Sequence, residues 1–143
     1  MATTAQQVFD LAMGLMDEVS ASGSTDNTDT KEYKNRTLLI ANALRGELYP
    51  YSDGCDAAGD GRAIAAYIRN FTDPIELDDY ICQTVLPYGL AAHLLLDENP
   101  SAASFFQQRY EALKRDLAVG MPAGSEEITD RYGGIEHGEF GRW

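Results

Sequence analysis

The chain has 143 residues, the size of one ordinary domain, and 44% of them are hydrophobic, enough to build a single core. Only 11 Lys and Arg stand against 23 Asp and Glu, a formal charge of −12, so the summed field repels phosphate backbones and argues against specific nucleic-acid binding. No stretch approaches the roughly 18 apolar residues of a membrane span, and Met1 to Ala5 lacks the basic and apolar regions of a secretory signal, so a soluble cytoplasmic protein without membrane contact is expected.

From Thr4 to Val19, the apolar residues Val8, Leu11, Ala12, Leu15, Met16 and Val19 recur at spacings of three and four. That pattern predicts an amphipathic helix, with Thr3 or Thr4 capping its start. Ser20 to Asp29 consists almost wholly of Ser, Gly, Thr, Asp and Asn, which compete for backbone hydrogen bonds, and it reads as a polar loop. A second helix is expected over about Thr30 to Tyr49, with Tyr33, Thr37, Ile40, Ala41, Leu44 and Leu48 buried. Lys31, Lys34, Arg36 and Arg45 then point mostly outward, and Pro50 stops the helix. Residues 51 to 61 are a loop by their Gly and Asp content, and residues 62 to 71 fit a short helix or an irregular segment almost equally well.

Tyr80, Ile81, Val85, Leu86, Leu90, Ala91, Leu94 and Leu95 repeat at helical spacing and predict a helix over about Leu77 to Leu96, its start favoured electrostatically by Asp78 and Asp79. Pro87 lies inside it and cannot donate to the carbonyl of Gln83, a defect of about 3 kcal/mol, so a kink or break shaped by Tyr88 and Gly89 is expected. Asn99 as cap and Pro100 in the first position open a last helix that runs to about Val119 and closes at Gly120 and Pro122. Its apolar face is Phe105, Phe106, Tyr110, Leu113 and Leu117. If Phe105, Phe106 and Leu113 are core, truncation to Ala should cost about 3–5 kcal/mol for Phe and about 2–5 kcal/mol for Leu. From Met121 onward the chain is polar, Gly-rich and net −3, with Ile128, Tyr132, Ile135, Phe140 and Trp143 scattered through it. The expected fold is all-α, a bundle of four main helices in residues 1–120, one of them kinked at Pro87, followed by an extended tail over 121–143.

The chemistry-bearing residues do not converge. His93 and His137 fall in no CxxC, HxxxH or HExxH spacing, and eleven residues of helix would hold His93 about 16 Å from Cys82. Asp26, Asp29, Asp53, Asp56 and Asp60 lie in loops but do not follow the alternating oxygen frame of a calcium loop. Gly59-Asp60-Gly61 begins like a dinucleotide-binding turn, yet Ile64 stands where the third glycine belongs. The carboxylate pairs Asp78/Asp79 and Asp97/Glu98 fall at helix starts, where the dipole accounts for them. Cys55 and Cys82 read as two free thiols. No catalytic, cofactor-binding or metal site is assigned, and the chain is not expected to be an enzyme.

The run Leu77 to Leu117 resembles the conserved half of small tailed-phage and prophage head–tail connector proteins, the head-completion or adaptor subunits. The matching features are Leu77-Asp78-Asp79, then Leu86-Pro87-Tyr88-Gly89-Leu90-Ala91, then Asp97-Glu98 followed by Phe105-Phe106 and Tyr110, within 41 of the 143 residues. The resemblance implies a helical subunit that forms a homo-oligomeric ring between the portal protein and the tail-side neck proteins, in the virion neck once it leaves the host cytoplasm. It implies no catalytic residue. An acidic ring would let DNA slide through without holding it. Tyr132, Ile135, Phe140 and Trp143 would then be assembly contacts for a neighbour. The alternative is a small cytoplasmic helical interaction or regulatory protein outside any virion. A helix-turn-helix DNA binder fits less well, because residues 100–119 carry a net charge of only +1, from three basic and two acidic groups.

Overall fold

The computed structural model describes residues 2–52 and 67–120. Residues 53–66 and the segment from 121 on, with Cys55, Tyr132, Ile135, Phe140 and Trp143, lie outside the described residues. The described part is all-helical: α1 (Ala5–Leu15), α2 (Lys31–Leu48), α3 (Leu86–Leu94) and α4 (Pro100–Gly120). A 3₁₀ turn follows α2 at Tyr49–Tyr51 and a π turn precedes α3 at Ile81–Val85. Among the described residues, β-type pairing is limited to a single antiparallel bridge between Thr4 and Pro74.

Each helix end has a chemical cause. Thr4 closes a reciprocal capping box with Gln7, its hydroxyl accepting from the Gln7 N–H while the Gln7 side chain accepts from the Thr4 N–H. The next two free amides, of Ala5 and Gln6, donate to the carbonyls of Asp73 and Phe71, which ties the helix start to the segment entering α3. α1 ends at Leu15 rather than near Val19 as the apolar spacing suggested. Asp17 adopts φ 60°, and the amides of Asp17 and Glu18 bond back to Gly14 and Met13, a Schellman closure with an aspartate where glycine is usual. Asn99 caps α4 as expected, its side-chain oxygen accepting from the Ala102 N–H at 3.1 Å.

α3 is the central element and packs against all three other helices. Leu86, Leu90 and Leu94 are fully buried along it, each contributing about 1.5–3 kcal/mol by removal from water. The interruption expected at Pro87 takes a specific form. The Leu86 amide reaches back five residues to the Ile81 carbonyl, a widened π turn, so that Pro87 enters in the first turn of α3, where a missing donor is tolerated.

Gly89 does not make the kink. It makes the packing. A Cβ there would meet two ring carbons of Tyr110 at 2.9 Å and a Leu44 methyl at 3.0 Å, so α3 approaches α2 and α4 only because no side chain intervenes. Gly89→Ala is expected to destabilise the fold, since overpacking at about 1–3 kcal/mol outweighs the gain of up to about 1 kcal/mol in helix propensity. Gly46→Ala in α2, where an added Cβ would meet nothing within 4 Å, should instead stabilise by about 0.5–1 kcal/mol. Urea midpoints of the two variants, read side by side, check the pair.

One polar side chain is placed differently from the sequence reading. Arg45 was expected outside but is 2% exposed, its Nε donating to the Ile75 carbonyl and an Nη to Glu76 at 3.0 Å. A buried guanidinium here anchors the irregular stretch before α3. The polar loop before α2 is knitted by its own side chains. Asn27 accepts from the amides of Asp29 and Thr30 at 2.9 and 3.0 Å, and the buried Thr30 hydroxyl donates to the Thr25 carbonyl at 2.6 Å.

Residues 67–71, half of the stretch left open between helix and irregular, are irregular. Ile68 is held there as if in a sheet, its amide donating to the Asn42 side-chain oxygen at 2.8 Å while the Asn42 amide donates back to its carbonyl at 2.9 Å.

Candidate assembly surface

The residues that carried the connector resemblance are mostly fold determinants. Leu77, Leu86, Pro87, Gly89 and Leu90 are buried. Asp79 accepts from both the amide and the hydroxyl of Thr3, at 3.1 and 2.8 Å, and Asp78 accepts from Ser52 at 3.1 Å. Both aspartates therefore tie distant segments to the start of the α3 region, beyond the dipole role expected of them. Phe106, Tyr110 and Leu113 are buried as expected.

Phe105 is not. It is 62% exposed, which corrects its placement in the core: of two adjacent phenylalanines on a helix only one can point directly inward, and Phe106 does so. Tyr80, also assigned to the apolar run, is exposed as well.

α1 holds a second correction. Its buried stripe is Ala5, Val8, Phe9, Ala12 and Met13, not the stripe through Leu15 and Val19. The helix carries apolar side chains on more than one face, and the two stripes share Val8 and Ala12. Packing against α3 selects the one with Phe9, whose ring meets the Phe71 edge at 6.1 Å. Leu11 and Leu15 are left facing solvent, 41% and 37% exposed.

These surplus apolar groups gather on one side of the bundle. Leu11 and Leu15 of α1, Pro87 and Tyr88 of α3 and Arg109 of α4 line an open groove of about 430 Å³. The half-buried Tyr88 ring lies 6.2 Å from the Phe106 ring, and the Arg109 guanidinium sits 5.9 Å from the centroid of the same Tyr88 ring. Phe105 packs edge-on to Phe106 at 5.5 Å and lies one turn before Arg109 on α4. Leu15 also borders a second hollow, whose lining includes Met16, Leu95 and Phe106 together with Asp17, Glu18 and Glu98. The apolar face is thus flanked by a basic rim at Arg109 and an acidic rim near Glu98.

Three titratable groups are held toward their protonated forms. The Tyr33 hydroxyl donates to Glu98, and partial burial, that bond and the charge of Glu98 hold its pKa well above the usual phenol value. The Cys82 thiol is fully buried and bonded to the Leu77 carbonyl, and burial pushes it up to about 12. Tyr110 is raised by burial and by the charges of Glu47 and Glu111. No group of three or more His, Cys, Asp or Glu able to hold a metal occurs among the described residues, and no described helix is long and apolar enough to cross a membrane.

What the arrangement can do is bind. An exposed apolar face with a mixed-charge rim has the composition of a contact surface, in which aromatic and Arg side chains act as anchors. Leu11 and Leu15 were legible in the sequence as apolar, but only the choice between two overlapping stripes makes them surface residues. Comparison with protein families, curated proteins and solved structures gives no match for this chain.

Proposed function

We propose that this chain is a structural subunit of a phage or prophage neck, assembling into a ring between the portal protein and tail-side proteins. The observation that carries an assembly role is the exposed face of Leu11, Leu15, Tyr88 and Phe105 beside Arg109, on a small acidic helical bundle. The connector assignment itself leans on the resemblance of Leu77 to Leu117. Function is then stereospecific contact, with no chemical step. A ring of subunits each carrying a formal charge of −12 also has the sign required of a DNA conduit that must not bind its cargo.

Light scattering of the purified chain over a range of concentrations, alone and then mixed with the portal protein encoded beside it, tests the reading. A ring-sized mass, or a shift into a portal complex, supports it. A monomer or dimer indifferent to portal protein removes the connector role and leaves a helical interaction protein outside any virion.

A further inference from the structure

We propose that the free chain pairs with a second copy of itself through the face of Leu15, Tyr88 and Phe105, in a closed two-fold dimer that sets Arg109 of each copy against Glu18 of the other. The pairing concerns the chain alone and does not depend on the connector reading.

The charge pattern of the face selects the occupant. Leu15 lies in the lining of both hollows, one carrying Arg109 and the other Asp17, Glu18 and Glu98. Glu98 just precedes α4, and Arg109 stands nine residues beyond Pro100, about 14 Å along the helix. The face is therefore apolar at its centre, basic toward one end and acidic toward the other. Asp10, the acid that lines the basic end, is already engaged by Gln6 at 2.8 Å and Thr25 at 2.6 Å.

A surface with that polarity is its own complement. Turned about a two-fold axis through the apolar centre, the basic end of one copy meets the acidic end of the other, and the contact occurs twice. A purely acidic partner would match only the Arg109 end, and a purely basic one only the acidic end. Phe105, 62% exposed, lies between the two ends on α4 and comes next to the axis, where a residue meets its own counterpart.

Net charge does not prevent the pairing. Each chain carries −12, but at about 0.15 M salt the Debye length is about 8 Å, so charges on the far sides of the two copies are screened while those in contact are not.

Light scattering of the full chain at that salt should show the mass rising with concentration from 15.7 kDa to twice that value and no further. Arg109→Glu and Glu18→Lys should each raise the dissociation constant by about tenfold or more, because each sets like charges against one another at both ends of the contact. An equimolar mixture of the two variants should pair as the unmodified chain does: the mixed pair sets the new glutamate against the new lysine at one end and keeps the native Arg109 and Glu18 at the other. Circular dichroism verifies that both variants retain their helices. A chain that stays single at every concentration overturns the proposal, as does association that both variants leave unchanged. Variants that fail to recover on mixing overturn it too. A mass that climbs past two copies overturns the closed pair while leaving the connector reading standing.

Discussion

Phe9→Ala is expected to destabilise the bundle by about 3–5 kcal/mol, whereas Phe105→Ala should cost less than about 1 kcal/mol. Phe9 is fully buried between α1 and the stretch before α3, in edge contact with Phe71, and Lys34 caps both rings at 5.8 and 4.8 Å. Its removal leaves a cavity that the capped, hydrogen-bonded ends of α1 cannot collapse. Phe105 has only the Phe106 edge to lose, a contact worth about 0.5–1.5 kcal/mol at most where both rings are buried and less at a 62% exposed position. Denaturant midpoints at constant slope read the difference. Equal losses for the two variants would mean that the face assigned to solvent is core. Under the assembly reading, Phe105→Ala should also lower the mass of any complex while leaving the fold intact, the signature of a contact residue.

The contrast between these two phenylalanines shows what the sequence can and cannot specify. Helix existence was legible because the signals are local: the Thr4–Gln7 box, the Asn99-Pro100 start and the 3–4 spacing of Leu86, Leu90 and Leu94 each act within a turn or two. Which face is buried was less legible wherever a helix is apolar on more than one side. α1 offers two stripes that share Val8 and Ala12, and α4 offers two adjacent phenylalanines; only the position of α3 decides between them. Arg45 was misplaced for the same reason, since its partners Ile75 and Glu76 lie thirty residues away and no local pattern announces them. The candidate surface follows from these very misreadings: it consists of apolar residues that a one-face view of each helix would have put inside.

Stability should fall as the solution becomes alkaline, because the folded chain holds protons that the unfolded chain releases. The Cys82 thiol is raised to about 12 by burial, and the Tyr110 phenol is raised by burial and the nearby charges of Glu47 and Glu111. Folded values above unfolded ones mean that the native state binds more protons, so stability decreases with pH. The contribution is fully present below the unfolded values, roughly 8.5 for a thiol and 10 for a phenol, and drains away as pH rises from there toward the folded values. Each such group removes up to about 1.4 kcal/mol per pH unit within its window. Tyr33 acts in the same direction but more weakly, because its hydroxyl faces an open hollow where its partner Glu98 is exposed. Between pH 8 and 11 the sum reaches several kcal/mol, a large part of the roughly 5–15 kcal/mol that holds a domain together. Urea melts at stepped pH should show the midpoint falling first near pH 9 and more steeply above 10. Cys82→Ala should remove the first part of that decline and leave the second, since the phenols, and the Lys114 ammonium that Glu47 holds above its usual range, still remain. A midpoint level to pH 10.5 would mean that these groups meet water in the native state, and that the core built around α3 is looser than its fully buried leucines imply.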